Sequence, residues 1–342
     1  MTQPILSARD AGVHFRVGKT RILKAVDGVS LDVTRGETFG IIGESGSGKT
    51  TLGRALICLE RPAHGHILHN GIDPFTLTKN RLRAHRRQFQ MIFQDPNAAL
   101  NPRMTILKSV REPLDTVGGL PTAKRTDIAL EMMGRVGLGP DFSRRYPHEL
   151  SGGQKQRVCI ARVLTLNPAL IVCDEAIAAL DVSIQADILN LLADLQREFG
   201  LTYVFITHNL GVVSHISDRV AVMYLGRIVE MGATEDIMRM PLHPYTEALL
   251  SAEPQAVPPS MRSGTRIVLD GELPSPISPP SGCRFRTRCR FAQDICARKE
   301  PEWRDVLPGR AVACHFAGEL ELETEAQRLL RVCGSTEGAG DV

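Results

Sequence analysis

Thr38-Phe39-Gly40-Ile41-Ile42-Gly43-Glu44-Ser45-Gly46-Ser47-Gly48-Lys49-Thr50-Thr51 reads as an apolar strand, a glycine-rich turn and a helix that starts near Lys49. From Gly43 to Thr50 the spacing is G-x-x-x-x-G-K-[ST], that of a phosphate-binding loop. Glycines let successive backbone N–H groups curl around a phosphate chain, and the helix N-terminus adds the positive end of its dipole. Lys49 then reaches the β- and γ-phosphates and the Thr50 hydroxyl sits on Mg2+. Glu44, Ser45, Gly46, Ser47, Gly48 and Thr51 complete the cradle. A chance glycine-rich loop would not bring Lys-Thr and both flanks with it.

Further along, Leu150-Ser151-Gly152-Gly153-Gln154 is another helix start behind a small-residue turn, hence a second anion site. A single nucleotide has no obvious use for both sites in one chain. Ala169-Leu170-Ile171-Val172-Cys173 is an apolar run ending in Asp174-Glu175. Buried parallel strands read this way, and ligands gather at their C-terminal edge. Asp174 suits Mg2+, directly or through water, and Glu175 suits a general base acting on the attacking water.

L-S-G-G-Q, placed between the phosphate loop and the carboxylate pair, is similar to the signature of ABC-type ATPases. In that family two cassettes pack head to tail and clamp shared ATP. The resemblance therefore implies that Ser151, Gly152, Gly153 and Gln154 face the γ-phosphate held by a partner's loop. It implies further roles position by position. Gln94, in Phe93-Gln94-Asp95, resembles the glutamine that contacts Mg2+ or the attacking water and couples the site to the membrane partner. Asp181 resembles the aspartate that works across the dimer, and His208, after Tyr203–Thr207, the histidine that senses the γ-phosphate. Phe15 occupies the place of the aromatic that stacks on adenine. Two positions depart from the family: Ala176 stands where Pro is usual, and Ala178 where Ser is usual. Losing Pro frees a φ and restores an N–H at the turn after Glu175. Losing Ser removes one hydroxyl contact across the dimer, but neither change removes a residue with a direct chemical role, so ATP hydrolysis is expected, with a reduced rate and a stronger partner subunit left open.

The composition is that of a cytosolic globular protein: 43% hydrophobic, 23% charged, net charge +3 over 342 residues. That length suggests two domains. A near-neutral balance leaves no electrostatic footprint for nucleic acid. No apolar run approaches the ~18 residues of a spanning helix. Met1-Thr2-Gln3-Pro4 is not the start of a secretion signal. Membrane contact is expected through partner subunits. Strands before about Arg35 suggest an antiparallel sheet, and the basic run Arg81–Arg87 a solvated helix face. Helical periodicity from Pro96, broken at Gly118–Pro121 and Gly137–Pro140, resembles the family's helical subdomain. Strands are expected at 169–174, 202–207 and 219–224, with a helix over roughly 184–199 between the first two, which makes βαβ units and a parallel sheet.

After Met231 the character changes. Leu242-His243-Pro244-Tyr245-Thr246 opens a short helix, and Glu253 to Ser281 is rich in Pro and Ser, an extended connector. With the cysteines that follow, and with Leu100-Asn101-Pro102-Arg103-Met104-Thr105-Ile106, this resembles the ATPase subunits of oligopeptide, dipeptide and nickel importers. Cys283, Cys289, Cys296 and Cys314 cluster, whereas Cys58, Cys159 and Cys173 read as core residues and Cys333 lies in a Gly- and Ser-containing tail. A reducing compartment argues against disulfides, so metal ligation is the expectation. The spacings match neither structural zinc nor ferredoxins. The importer branch associates such a cluster with a 4Fe–4S centre; zinc and free thiols stay open. Arg284, Arg286, Arg288 and Arg290 would offset thiolate charge or meet an acidic partner. His64, His66 and His69 alternate in direction and read as exposed imidazoles.

The expected architecture is an α/β P-loop NTPase core of ABC type, with an antiparallel β subdomain, an inserted helical subdomain and a small Pro/Cys-rich C-terminal extension. Residues 1–255 would form the nucleotide-binding domain, with the helical part at about 96–160, and 256–342 the connector and Cys-cluster domain. The implied function is ATP hydrolysis that powers import of di- or oligopeptides, with nickel or a glutathione-like compound as alternative cargo. Implied partners are two permeases, a second ATPase subunit, identical or different, and an external solute-binding protein, at the cytoplasmic face of a bacterial plasma membrane. Rival readings are a soluble ABC ATPase acting on ribosomes or DNA, and a redox-regulatory subunit. The single signature, the lack of a long coiled-coil insertion and intact Lys49, Asp174, Glu175 and His208 disfavour them.

Overall fold

The computed structural model describes residues 3–178, 180–253, 267, 269 and 271–328. Eleven strands are named among them: β1 (Leu6–Val17), β2 (Arg21–Val33), β3 (Thr38–Ile42), β4 (His64–His69), β5 (Phe89–Ile92), β6 (Leu170–Asp174), β7 (Thr202–Thr207), β8 (Arg219–Tyr224), β9 (Arg227–Ala233), β10 (Arg304–Leu307) and β11 (Arg310–Val312). They form a three-stranded antiparallel sheet, β2-β1-β4, and an eight-stranded sheet, β10-β11-β9-β8-β3-β7-β6-β5.

The larger sheet explains why the motifs converge. Strands β8, β3, β7, β6 and β5 are mutually parallel, and β3, β6 and β7 are buried along their whole length. Continuous apolar runs such as Leu170-Ile171-Val172-Cys173 suit strands covered on both faces. In a parallel sheet every strand delivers its following loop to the same edge. The phosphate loop after β3, Gln94 after β5, Glu175 after β6 and His208 after β7 therefore share that edge.

One face carries the helices Pro96–Ala99, Ile106–Val117, Thr122–Arg135 and Gly152–Leu164, whose buried residues Ile106, Val110, Met133 and Ile160 join a core with β5, β6 and β7. Helix Ile106–Val117 stops at Gly118, which with Gly119 takes a positive φ (70° and 83°); Gly137 does likewise at 76°. These are the breaks read from the sequence. On the other face the three-stranded sheet packs Leu6, Val13, Val26 and Val29 against Phe39, Ile41 and the helix Lys49–Leu56. Among the described residues no helix is long and apolar enough to cross a membrane.

Residues 271–328 join the main sheet. Strand β11 pairs antiparallel with β9 (Ala311↔Met231), and β10 pairs with β11. Phe285 packs against Tyr224 of β8 and Tyr245, with centroids 5.2 and 5.4 Å away, and the two tyrosine rings touch each other at 4.7 Å. All three rings are essentially buried, and such fully buried aromatic side chains contribute about 1.5–3 kcal/mol each. The division between residues 255 and 256, much of the Pro-rich connector and Cys333 lie outside the described residues.

Candidate active site

The phosphate loop owes its shape to its glycines. Gly43, Gly46 and Gly48 have φ of 153°, 80° and 103°, which is left-handed territory closed to most side chains. A Cβ on Gly43 would lie 2.1 Å from Met223 O, and one on Gly48 2.1 Å from Ala25 O. The backbone is thus wedged against β8 and β2. Gly48 caps the helix Lys49–Leu56, the first-turn N–H groups of which open onto the loop.

Lys49 is 5% exposed, and its Nζ donates to Gly43 O (2.8 Å) and Glu44 O (2.9 Å). Burial lowers its pKa, opposed by Glu175, Asp174 and Glu44. Thr50 Oγ1 donates to Asp174 Oδ1 at 2.9 Å. Ser47 Oγ is fully buried and has no hydrogen-bond partner among the described residues. A hydroxyl and a carboxylate in contact, beside a lysine and an unpartnered serine, form the oxygen donor set that Mg2+ on a nucleotide takes.

Glu175 sits just past β6 with φ 45°, its N–H donating to Ile206 O at 2.9 Å. Gln94 Nε2 donates to Glu175 Oε2 at 2.7 Å, and His208 Nδ1 lies 3.2 Å from Oε1. Both carboxylate oxygens are thus engaged by residues from neighbouring strand ends. A carboxylate only accepts, so His208 Nδ1 carries the proton in this arrangement. The Glu175 carboxylate is thus held in place between the ends of β5 and β7.

Ser151 caps the helix Gly152–Leu164. Its Oγ accepts from Gln154 N–H (3.3 Å) and Gln154 Oε1 accepts from Ser151 N–H (3.0 Å), a reciprocal capping box. Gln154 therefore holds the turn. Gly153 is needed for packing, since a Cβ there would lie 2.6 Å from Ile184 Cγ2. Ser151, Gly152 and Asp181 are exposed, and Val182 is 82% exposed. Phe15 lies in β1 opposite Leu23, half-buried against the β-subdomain core.

Chain similarity agrees with this arrangement. Residues 26–178 match the model of the ABC transporter family, and residues 229–296 that of the oligopeptide/dipeptide transporter C-terminal region. The putative oligopeptide transport ATP-binding protein YkfD of Bacillus subtilis strain 168 is 49% identical, over 95% of this chain and 99% of its own. The chain belongs to the ABC transporter family. AppF, an oligopeptide transport ATP-binding protein of the same organism, is 50% identical over 92% of this chain and 98% of its own. Among solved structures, the ATP-binding cassette MJ0796, dimeric and bound to ADP and Pi, superposes with a TM-score of 0.61 at 32% identity, covering 67% of this chain and 98% of that one. CbiO1 of Clostridium perfringens gives 0.61 at 27% identity, covering 69% and 90%. The protein is thus an ABC-type ATPase subunit with a P-loop NTPase core.

The metal expectation at the cysteines needs correction. Cys283, Cys289, Cys296 and Cys314 do line one cavity, with Phe285, Phe291 and Phe316, but its volume is only about 20 Å3. Among the described residues no group of three or more His, Cys, Asp or Glu side chains is arranged to hold a metal ion. Burial pushes the Cys283 thiol up to about 12 and Cys289 to about 11. The expectation of a 4Fe–4S centre or zinc at these cysteines therefore finds no support among the described residues. The nearby arginines have other partners: Arg284 pairs with Asp27, Arg288 with Glu44 and Arg290 with Glu247. His69 also departs from expectation. It is fully buried, hydrogen-bonded to Leu56 O and His85, and stacked on Phe89.

His243 shows what the His-Pro-Tyr turn does. It caps the helix Pro244–Ser251, its Nδ1 accepting from Tyr245 N–H at 3.0 Å. Burial drives its pKa down to about 3, against about 6.5 in an unfolded chain. The unfolded state takes up the proton first, so His243's stabilisation is complete above about pH 6.5 and is lost as pH falls towards 3. At pH 5 the loss should reach about 2 kcal/mol. Urea midpoints at pH 7 and pH 5 test this against His243→Asn, whose side-chain oxygen still caps Tyr245. An equal fall in both proteins would show that His243 is not the titrating group.

Proposed function

We propose that this chain powers import of di- and oligopeptides as one of two ATPase subunits docked on a membrane permease pair. The carrying observation is that Lys49, Thr50, Asp174, Gln94, Glu175 and His208 meet at one sheet edge of a chain that also matches the oligopeptide/dipeptide C-terminal region. Relatives named as oligopeptide transport ATP-binding proteins support the same cargo. Lys49 and the loop N–H groups bind the phosphates, Thr50 and Asp174 hold Mg2+ with Gln94 beside them, and Glu175 takes the proton of the attacking water. Bound Mg2+ neutralises charge on the phosphate oxygens. His208 fixes Glu175 and reads the γ-phosphate. Ser151, Gly152, Gly153 and Asp181 complete the site of a second subunit, and Phe15 stacks on adenine. The subunit sits peripherally on the cytoplasmic face, and an external solute-binding protein delivers cargo.

Purification of the tagged chain from native membranes in mild detergent, with partners identified by mass spectrometry, should recover two multi-spanning permeases. Peptide uptake should vanish in a deletion strain and return with the wild-type chain but not with Glu175→Gln. Loss of nickel or glutathione uptake alone would reassign the cargo. Recovery of ribosomal or DNA-repair proteins without permeases would overturn the importer reading.

A further inference from the structure

The phosphate loop contains a carboxylate, Glu44, at a place built to bind anions. Its side chain is held by Arg288, whose Nη1 and Nη2 donate to Glu44 Oε2 at 2.7 Å and Oε1 at 3.1 Å. The Arg288 side chain is 8% exposed. Glu44 N–H donates to the Tyr245 hydroxyl at 2.8 Å. Tyr245 is itself fully buried, fixed by His243 through its N–H and by the rings of Tyr224 and Phe285. Leu273 lies against Gly46 of the same loop. A backbone hydrogen bond, a charge pair and an apolar neighbour of the loop thus come from residues beyond 240.

We propose that Arg288 and Tyr245 are positioning residues for the nucleotide: Tyr245 fixes the Glu44 backbone, and Arg288 turns the Glu44 carboxylate aside and neutralises it so that the loop accepts a polyphosphate. A fork-shaped, bidentate guanidinium–carboxylate pair fixes both the direction and the charge of the acid. Without it, a free carboxylate would face the phosphates and repel them.

The inference rests on the assignment of Gly43–Thr50 as the nucleotide loop, and the test separates the two. Calorimetric Kd values for MgADP are measured on the full-length chain. Arg288→Gln should weaken binding about tenfold, and Tyr245→Phe by a smaller factor. Adding Glu44→Gln to Arg288→Gln should restore most of the affinity, because the repelling charge is gone. A merely structural role predicts no such rescue. In steady-state hydrolysis Arg288→Gln should raise KM for MgATP while kcat at saturation stays within about twofold. Val312→Ala, which loosens β11 away from the loop, should lower the melting temperature yet leave Kd unchanged.

An unchanged Kd in Arg288→Gln, a double variant no better than Arg288→Gln alone, or an equal loss in Val312→Ala would each overturn the proposal. Failure of the wild-type chain to bind MgADP would overturn the loop assignment and the proposal together.

Discussion

Glu175→Gln should lower kcat for ATP hydrolysis by about 100- to 10,000-fold, the usual range for loss of a general base, with MgATP affinity within about threefold of wild type. The reason lies in the two contacts on the carboxylate. Gln94 and His208 grip its two oxygens from the ends of β5 and β7. An amide of the same shape keeps the fit but cannot take a proton from water. Burst and steady-state phosphate release, with Kd measured in parallel, check the expectation. A variant hydrolysing at the parental rate would remove Glu175 from the chemistry and leave Asp174 or the substrate itself as the base. A variant that also lost affinity would point to collapse of the loop. His208→Ala should fall between these limits, because Glu175 would retain only its Gln94 contact.

Arg310→Met should destabilise the fold by about 3–5 kcal/mol, the cost of leaving a buried carboxylate without its cation. Glu230 in β9 is fully buried, and it accepts hydrogen bonds from Leu242 N–H (2.9 Å), His243 N–H (3.0 Å) and Arg310 Nη2 (2.7 Å). Burial already pushes the Glu230 pKa up, and Arg310 and the hydrogen bonds oppose this. The same carboxylate organises the turn into the His-Pro-Tyr helix, so losing Arg310 should loosen β11 and that turn together. Urea denaturation measures the loss. Glu230→Gln with Arg310→Met should recover part of it, because the unpaired charge disappears. Strict additivity, or a loss below about 1 kcal/mol, would mean that water reaches Glu230 and that the pair is not what ties β11 to β9.

The local grammar of the chain was readable. The helix begins at Lys49 as the glycine spacing requires, and β7 and β8 span 202–207 and 219–224 as their apolar runs indicate. These features depend on neighbours along the chain. What escaped depends on distant ones. Glu44 reads as one more residue of a phosphate cradle until Arg288 is placed beside it. The four arginines around the cysteines look like a solvated or metal-compensating patch because nothing in their own segment names Asp27, Glu44 or Glu247 as partners. His69 looked exposed because alternation says which residues share a face, not which face is covered; His85 and Phe89 cover it. Cysteine clustering in sequence did become proximity in space, but proximity of four thiols is a weaker condition than a coordination sphere.

The pairing of β11 with β9, and of Arg288 with a residue 244 positions earlier, also bears on the order of folding. Contacts between distant segments close late, because the intervening chain must first be synthesised and collapsed. A nascent chain as far as Arg239 already contains every strand of the parallel sheet and the signature helix, but neither Tyr245 nor Arg288 has emerged. The loop that binds the phosphates is therefore finished by the last third of the polypeptide, and a subunit truncated during synthesis lacks a properly set nucleotide loop even when its sheet is complete.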